Sequence, residues 1–242
     1  MQQKDILNTL LAELDQVPDH PVTDVISGKH IAGVESRKLG IATWAVGKHP
    51  VSPDQLPEKN LPESAKELAR FLLSDNPIEA SLGLAAVNSL LPDPPAAELI
   101  ARNASDLILE YGQGKNVAVI GHFPFVEDMA DKFSRFWVLE KHPQKGDIDA
   151  GRSPVVLPQA EVVAITAVTL SNGTLGDILS HVSPEAVKIL VGPSTPMARA
   201  LFNMGFCALA GSVVDDTPTA KMCIASGCSF RMVQGVTHVL WG

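Results

Sequence analysis

Aromatic side chains are scarce in this chain: 5% of 242 residues, with a single tyrosine, Tyr111. Few platforms are left on which bases could stack. The formal net charge of −8 also removes the basic face that a phosphate backbone requires, so nucleic acid is not an expected partner. Cysteine is equally thin. Cys207, Cys223 and Cys228 are an odd number without a disulfide pattern, and neither H-E-x-x-H nor a paired C-x-x-C offers a ready metal clamp. No window approaches the ~20 apolar residues of a membrane span. The opening MQQKDILNTLLAELDQV interleaves acids among its leucines and lacks the apolar stretch of a leader. The expectation is a cytoplasmic chain with no membrane partner. Catalytic signatures are missing too: no G-x-S-x-G elbow anchors a hydrolase triad, and no G-x-x-x-x-G-K-[ST] cradles phosphates.

What is present is ample material for a core. With 45% hydrophobic and 19% charged residues, the chain can build two domains or one large α/β domain. Ile6, Leu7, Leu10, Leu11 and Leu14 recur at helical spacing and predict a helix over 3–15. VTDVISG, HIAGVES and LGIATWAV then predict an antiparallel meander, followed by a Pro-rich surface loop from Val46 to Ser64. ESAKELARFLL and PIEASLGLAAVNSLL read as helices, the second with Asn76 as cap and Pro77 in its first turn. A further helix is expected from about Ala96 to Tyr111.

From Lys115 the pattern changes to alternating strands and helices. NVAVIG and FWVLE are strands, and three strand–loop–helix units follow between Glu161 and Ala220. Such alternation implies a mostly parallel sheet covered on both faces. The fold class is therefore α/β, with a small α+β domain over 1–95 and a Rossmann-like domain over 96–242. FRMVQGVTHVLW can add a closing strand.

In an open α/β sheet, ligands bind at the C-terminal edge of the strands, where helix N-termini favour anions. Three loops reach that edge. In TLSNGT, Asn172-Gly173 suits a turn with positive φ, and Thr174 with Asp177 makes a capping-box pattern. In GPSTP, Gly192 permits close backbone approach and Ser194 or Thr195 caps a helix starting at Pro196. In GSVVDDTP, Asp216 or Thr217 caps ahead of Pro218. Plain capping accounts for each loop alone; together they place Thr166, Thr169, Asn172, Ser194 and Asp215 on one candidate wall.

VAVIGHFPF follows the same logic with Gly121 at its turn, but His122, Phe123 and Pro124 replace the glycines of a dinucleotide fingerprint. Glu140 lies nineteen positions after Gly121, about where a ribose-binding acid sits, or is simply a solvated strand end. A nucleoside-like or heterocyclic ligand is favoured over NAD. His122, Glu140, Asp215 and Asp216 could converge on a divalent metal. Cys223 and Cys228 read as a poor clamp, and Cys207 as a small core residue. Ser194 occupies an activated-serine position with no identifiable base.

VAVIGHFPF, AITAVTLSNGTL, VGPSTPMARALFNMGFCALAGSVVDD and IEASLGLAAVNSLL together resemble a prokaryotic family of uncharacterised proteins labelled "putative heavy-metal chelation domain". One departure is Ala167, where such proteins often carry glycine. The resemblance implies an enolase N-terminal-like domain, a Rossmann-like domain with some likeness to methyltransferases, and a cleft between them. It implies work on metal-chelating small molecules that are pterin-, flavin- or siderophore-like. On this reading Thr166, Thr169, Asn172, Gly173, Gly192, Ser194 and Asp215 line one wall, with Asn88 and Glu35 as candidates from the other. The leading expectation is an enzyme that condenses or hydrolyses a small anionic or heterocyclic metabolite, with Asp215 or Glu140 as base or anchor. The alternatives are a non-catalytic binder of a chelator or metal–chelator complex, and an S-adenosylmethionine-dependent methyltransferase-like enzyme. A homo-oligomer is left open.

Overall fold

The computed structural model describes residues 1–47, 51, 61–229 and 232–242. Most of the Pro-rich loop, and Phe230 and Arg231 of the tail, lie outside them. Helix α1 (Gln3–Glu13) forms where the leucine spacing predicts it, burying Ile6, Leu7 and Leu10. Strands β1 (Asp24–Ser27), β2 (Ile31–Glu35) and β3 (Leu39–Thr43) make the antiparallel meander in the order β1-β2-β3. Helices α2 (Ala65–Ala69) and α3 (Pro77–Leu90) follow, each started by its own side-chain cap: Ser64 Oγ accepts Glu67 N–H, and Asn76 Oδ1 accepts Ile78 N–H. Helix α3 is apolar nearly all round and is buried accordingly.

The helix expected from Ala96 to Tyr111 is broken in two. Residues 96–98 make one tight turn, and α4 spans Ala104–Gly112. Between them the chain turns its backbone to the sheet: Ile100 N–H donates to the Leu240 carbonyl at 2.7 Å. That external bond is incompatible with a continuous helical ladder.

The larger sheet comprises β4 (Asn116–Ile120), β5 (Arg135–Glu140), β6 (Ile148–Asp149), β7 (Val162–Thr166), β8 (Val187–Val191), β9 (Phe206–Val214) and β10 (Val236–Trp241). Its order is β10-β9-β8-β7-β4-β5-β6, parallel throughout except for β10 on β9. Helices α5 (Ser153–Val156), α6 (Val168–Ser171), α7 (Leu175–His181), α8 (Arg199–Asn203) and α9 (Thr217–Ala225) join the strands. On one face, Ala118, Ile120, Val163, Ile165, Leu190 and Leu209 share a single core with Leu10, Leu82 and Leu90 of the N-terminal region. On the other, Val119, Ala164, Ile189 and Ala208 pack against Leu107 and Ile108 of α4. A small third cluster seats Ala220 and Ile224 of α9 on the meander. Burying a Leu or Ile stabilises by about 1.5–3 kcal/mol, so the shared first core welds the two parts into one body. Among the described residues no helix is long and apolar enough to cross a membrane.

Candidate functional site

Strand β4 leads to β5 on one side, while its other neighbour, β7, leads away to β8. The crevice of an open α/β sheet forms at such a reversal. Gly121 ends β4 with φ 99° and Gly192 ends β8 with φ 118°, so both turn the chain out of the sheet in a conformation that suits glycine. Thr166 ends β7 between them. A Cβ on Gly121 would lie 3.2 Å from Thr166 Cβ, and one on Gly192 would lie 3.8 Å from a ring carbon of Phe123. Gly121, Thr166 and Gly192 are thus brought together as their loops predicted.

His122 is held from both ends of its residue. Its N–H donates to Glu140 Oε2 at 3.0 Å, and its ring Nδ1 lies 2.9 Å from Asp147 Oδ1. The Asp147 side chain is 3% exposed and also accepts Gln144 N–H. A carboxylate at Nδ1 favours the tautomer with its proton there, while Nε2 lies 3.9 Å from Glu127 Oε1. Sequence reasoning missed Asp147: it lies 25 residues from its histidine, in a loop with no periodicity. Glu140 accepts the N–H groups of His122, Lys141 and His142, which makes it a clasp of this loop.

A cavity of about 770 Å³ opens beside this crevice. It exists because β9 is longer than β8: their pairing stops at Val191 and Ala210, while β9 runs on to Val214 against β10. The overhanging ribbon supplies a floor of Ala210, Ser212, His238 and Leu240. Phe123 and Phe125 close one side, their rings stacked at 5.2 Å and 5°. The start of α4 closes another, through Arg102, Asn103 and Ser105. Ser212 Oγ and His238 Nδ1 form a cross-strand pair at 3.2 Å. The lining is mainly apolar, with a few convergent polar groups.

Other candidates are placed elsewhere, and most of the helix ends are already filled. Gln3 Oε1 of α1 accepts Gly176 N–H at the start of α7, and the Glu13 carboxylate accepts Arg199 and Ala200 N–H at the start of α8. Asp216 caps α9 as predicted; the Thr219 hydroxyl and N–H hold its carboxyl below the usual range. The expected anion-binding helix ends are occupied by the protein's own side chains. Thr174 makes no capping box; its hydroxyl donates to Asn172 Oδ1 in a local turn over Gly173, φ 77°. Thr169 is buried, with its hydroxyl on the Thr166 carbonyl. Ala167 adopts an ordinary helical conformation, φ −64°, so nothing there requires glycine.

Ser194 starts no helix, because α8 begins at Arg199. It is fully buried: its Oγ accepts Thr43 N–H at 2.7 Å, and its carbonyl accepts Asn88 Nδ2, which also donates to the Ile41 carbonyl. Ser194 and Asn88 therefore stitch the two parts together and do not face each other across a cleft. Glu35 is ion-paired with Lys221 of α9. Asp215 accepts the Thr237 hydroxyl and sits five residues beyond Ala210, roughly 15 Å past the end of β8. His122, Glu140, Asp215 and Asp216 consequently do not converge, and among the described residues no group of three or more His, Cys, Asp or Glu could hold a metal ion. A resident metal with a full set of protein ligands does not fit this edge. Two cysteine expectations also fail: Cys207 is exposed, and Cys223 and Cys228 form a disulfide.

Comparison with known proteins agrees with this architecture. A family model described as "Putative heavy-metal chelation" (DUF364) matches residues 103–239, and a second of the same description (DUF4213) matches residues 11–91. An uncharacterised protein of Methanocaldococcus jannaschii is 26% identical over 184 residues, which cover 74% of this chain and 71% of that protein. A crystal structure of a DUF364 protein of unknown function from Desulfitobacterium hafniense has a TM-score of 0.84 at 26% identity, covering 98% of this chain and 97% of its own. Another from Pyrococcus horikoshii shares the fold at a TM-score of 0.80 and 20% identity, covering 99% of each chain. With its parallel-sheet region matched from Asn103 to Val239 and its whole fold shared with these structures, the chain belongs to the DUF364 family.

Proposed function

We propose that this chain binds a small, flat heterocyclic metabolite, of the pterin- or flavin-like kind able to chelate metal, in the cavity beyond the end of β8 and over β9 and β10. The observation that carries this reading is the stacked Phe123–Phe125 wall over a 770 Å³ hollow. The volume falls in the range of small-molecule sites, and aromatic rings pack favourably on a flat heterocycle in offset-stacked or edge-to-face arrangements. The family description supports a chelator as the chemical type. Binding is favoured over catalysis because neither Ser194 nor Asp215 lines the hollow. A metal would then arrive on the ligand, coordinated by the heterocycle, with no full protein ligand set needed.

The catalytic reading keeps one support, the His122–Asp147 pair, one residue from Phe123. With the proton on Nδ1, Nε2 would be a proton acceptor of the type used in condensation or hydrolysis. Calorimetric titration with a pterin, a flavin, adenosine and S-adenosylmethionine tests the proposal. A pterin or flavin should bind, and both Phe123→Ala and the hollow-filling Ser212→Trp should weaken it. Unchanged affinity in both variants would place the site elsewhere. Mass spectrometry of the bound compound after long incubation separates the readings: an unaltered compound supports binding, and turnover lost in His122→Gln supports catalysis.

A further inference from the structure

We propose that Cys223 and Cys228, when reduced, form a two-thiolate site for a soft, thiophilic d10 cation at the rim of the cavity. Helix α9 ends in a left-handed turn. Gly227 has φ 83°, Cys228 N–H donates to the Cys223 carbonyl at 3.1 Å, and Gly227 N–H donates to the Ile224 carbonyl at 2.9 Å. Those two bonds are the paired closure of a left-handed helix C-terminus, and this motif brings the first and sixth side chains into contact. That contact is ordinarily apolar. Here both positions are cysteine, with Cα atoms 5.4 Å apart.

The backbone bonds that set this spacing do not depend on the disulfide. Helix α9 is also docked independently of it, with Ala220 and Ile224 fully buried against Ile26, Ile31, Leu39 and Ile41. Reduction therefore leaves two thiols pre-positioned to chelate one ion. Both residues are half-buried and reachable. The Met232 carbonyl oxygen lies 3.3 Å from Cys223 Sγ, and Ser226 Oγ lies 3.5 Å from Cys228 Sγ. Two sulfurs flanked by these two neutral oxygens select soft cations over hard ones. Ser229, the next residue, lines the cavity, so an ion held here would sit at its mouth. The proposal goes beyond the metabolite reading and stands whether or not the cavity binds a ring.

Two molecules of a low-molecular-weight thiol supply two electrons and two protons to the disulfide and leave as their own disulfide. A divalent cation then forms two metal–sulfur bonds and displaces the two thiol protons to solvent.

The test is titration of the full chain with Cd²⁺, after reduction and removal of the reductant, read by the cadmium–thiolate charge-transfer band and by native mass spectrometry. One ion per chain is expected in the reduced protein, none in the oxidised protein. Cys207→Ser should leave the band intact, and Cys223→Ser with Cys228→Ser should abolish it. Gly227→Val keeps both thiols but strains the turn that aims them, and should weaken Cd²⁺ binding ~10–100-fold, as loss of outer supports does at metal sites. A band of full strength in the double variant, no band in the reduced chain, or undiminished affinity in Gly227→Val would overturn the proposal. Circular dichroism on each variant confirms that the loss is not unfolding.

Discussion

The two faces of the seven-stranded sheet are built from similar strands and covered very differently. One face is sealed by α1, α3, α7 and α8, with a core continuous into the N-terminal region. The other is covered by α4 and by the loop after β4, and it opens into a hollow where β9 outruns β8. The strands themselves alternate apolar residues toward both sides, so their composition does not set the difference. The length and placement of the cover do. A binding hollow arises here where packing elements run out, and rigidity where they interlock.

The strongest way to break this contrast is to damage the sealed face. Leu82→Ala removes a fully buried side chain from the shared core and should cost about 2–5 kcal/mol in urea unfolding. Ser212→Phe on the hollow face should cost less than ~1 kcal/mol, since it fills space with little displacement of packed atoms. Equal losses would refute the distinction. Next comes the seam: Asn88→Ala leaves the Ile41 and Ser194 carbonyls without their donor and should cost about 1–3 kcal/mol. Glu13→Ala bares the first N–H groups of α8 and should cost about 0.5–2 kcal/mol, the usual value of a helix cap.

The smallest expected effect is electrostatic. Asp24 and, behind it, Glu35 raise the Lys221 ammonium above its ordinary range. A raised folded-state value means the stabilisation is fully present below the unfolded value of about 10.4 and fades as pH climbs through the folded one. Lys221→Met should therefore lower stability by less than ~1 kcal/mol at neutral pH, and the gap to the parent should close on the alkaline side. A gap that widened with rising pH would show the sign to be wrong.

The meander, the helix at α3 and the parallel units were legible because local periodicity reports burial. Gly121, Thr166 and Gly192 were legible because a parallel sheet puts the ends of its strands on one edge. What failed were inferences about who occupies a helix end. Nothing in the helical spacing of the opening segment singles out Gln3 and Glu13, yet they fill α7 and α8 from 173 to 187 residues away. Asp147 was hidden for the same reason. Ser194 misled in another way: a serine before Thr-Pro reads as a helix cap, but its hydroxyl serves a strand of the other region. The cysteine pair escaped because its closeness depends on a positive φ at Gly227, which spacing alone does not reveal.

The tie between α1 and the ends of α7 and α8 also dictates an order of events during synthesis. At about 5–20 residues per second, α1 is made roughly 10–40 s before Gly176 and Ala200, whose N–H groups it receives. Through that interval its apolar side, Ile6, Leu7 and Leu10, can rest on the turn at Arg70–Leu73 but not yet on α7 or α8. The nascent chain must carry a half-covered sticky helix until α8 is made, which makes this short segment the natural place for a chaperone to hold.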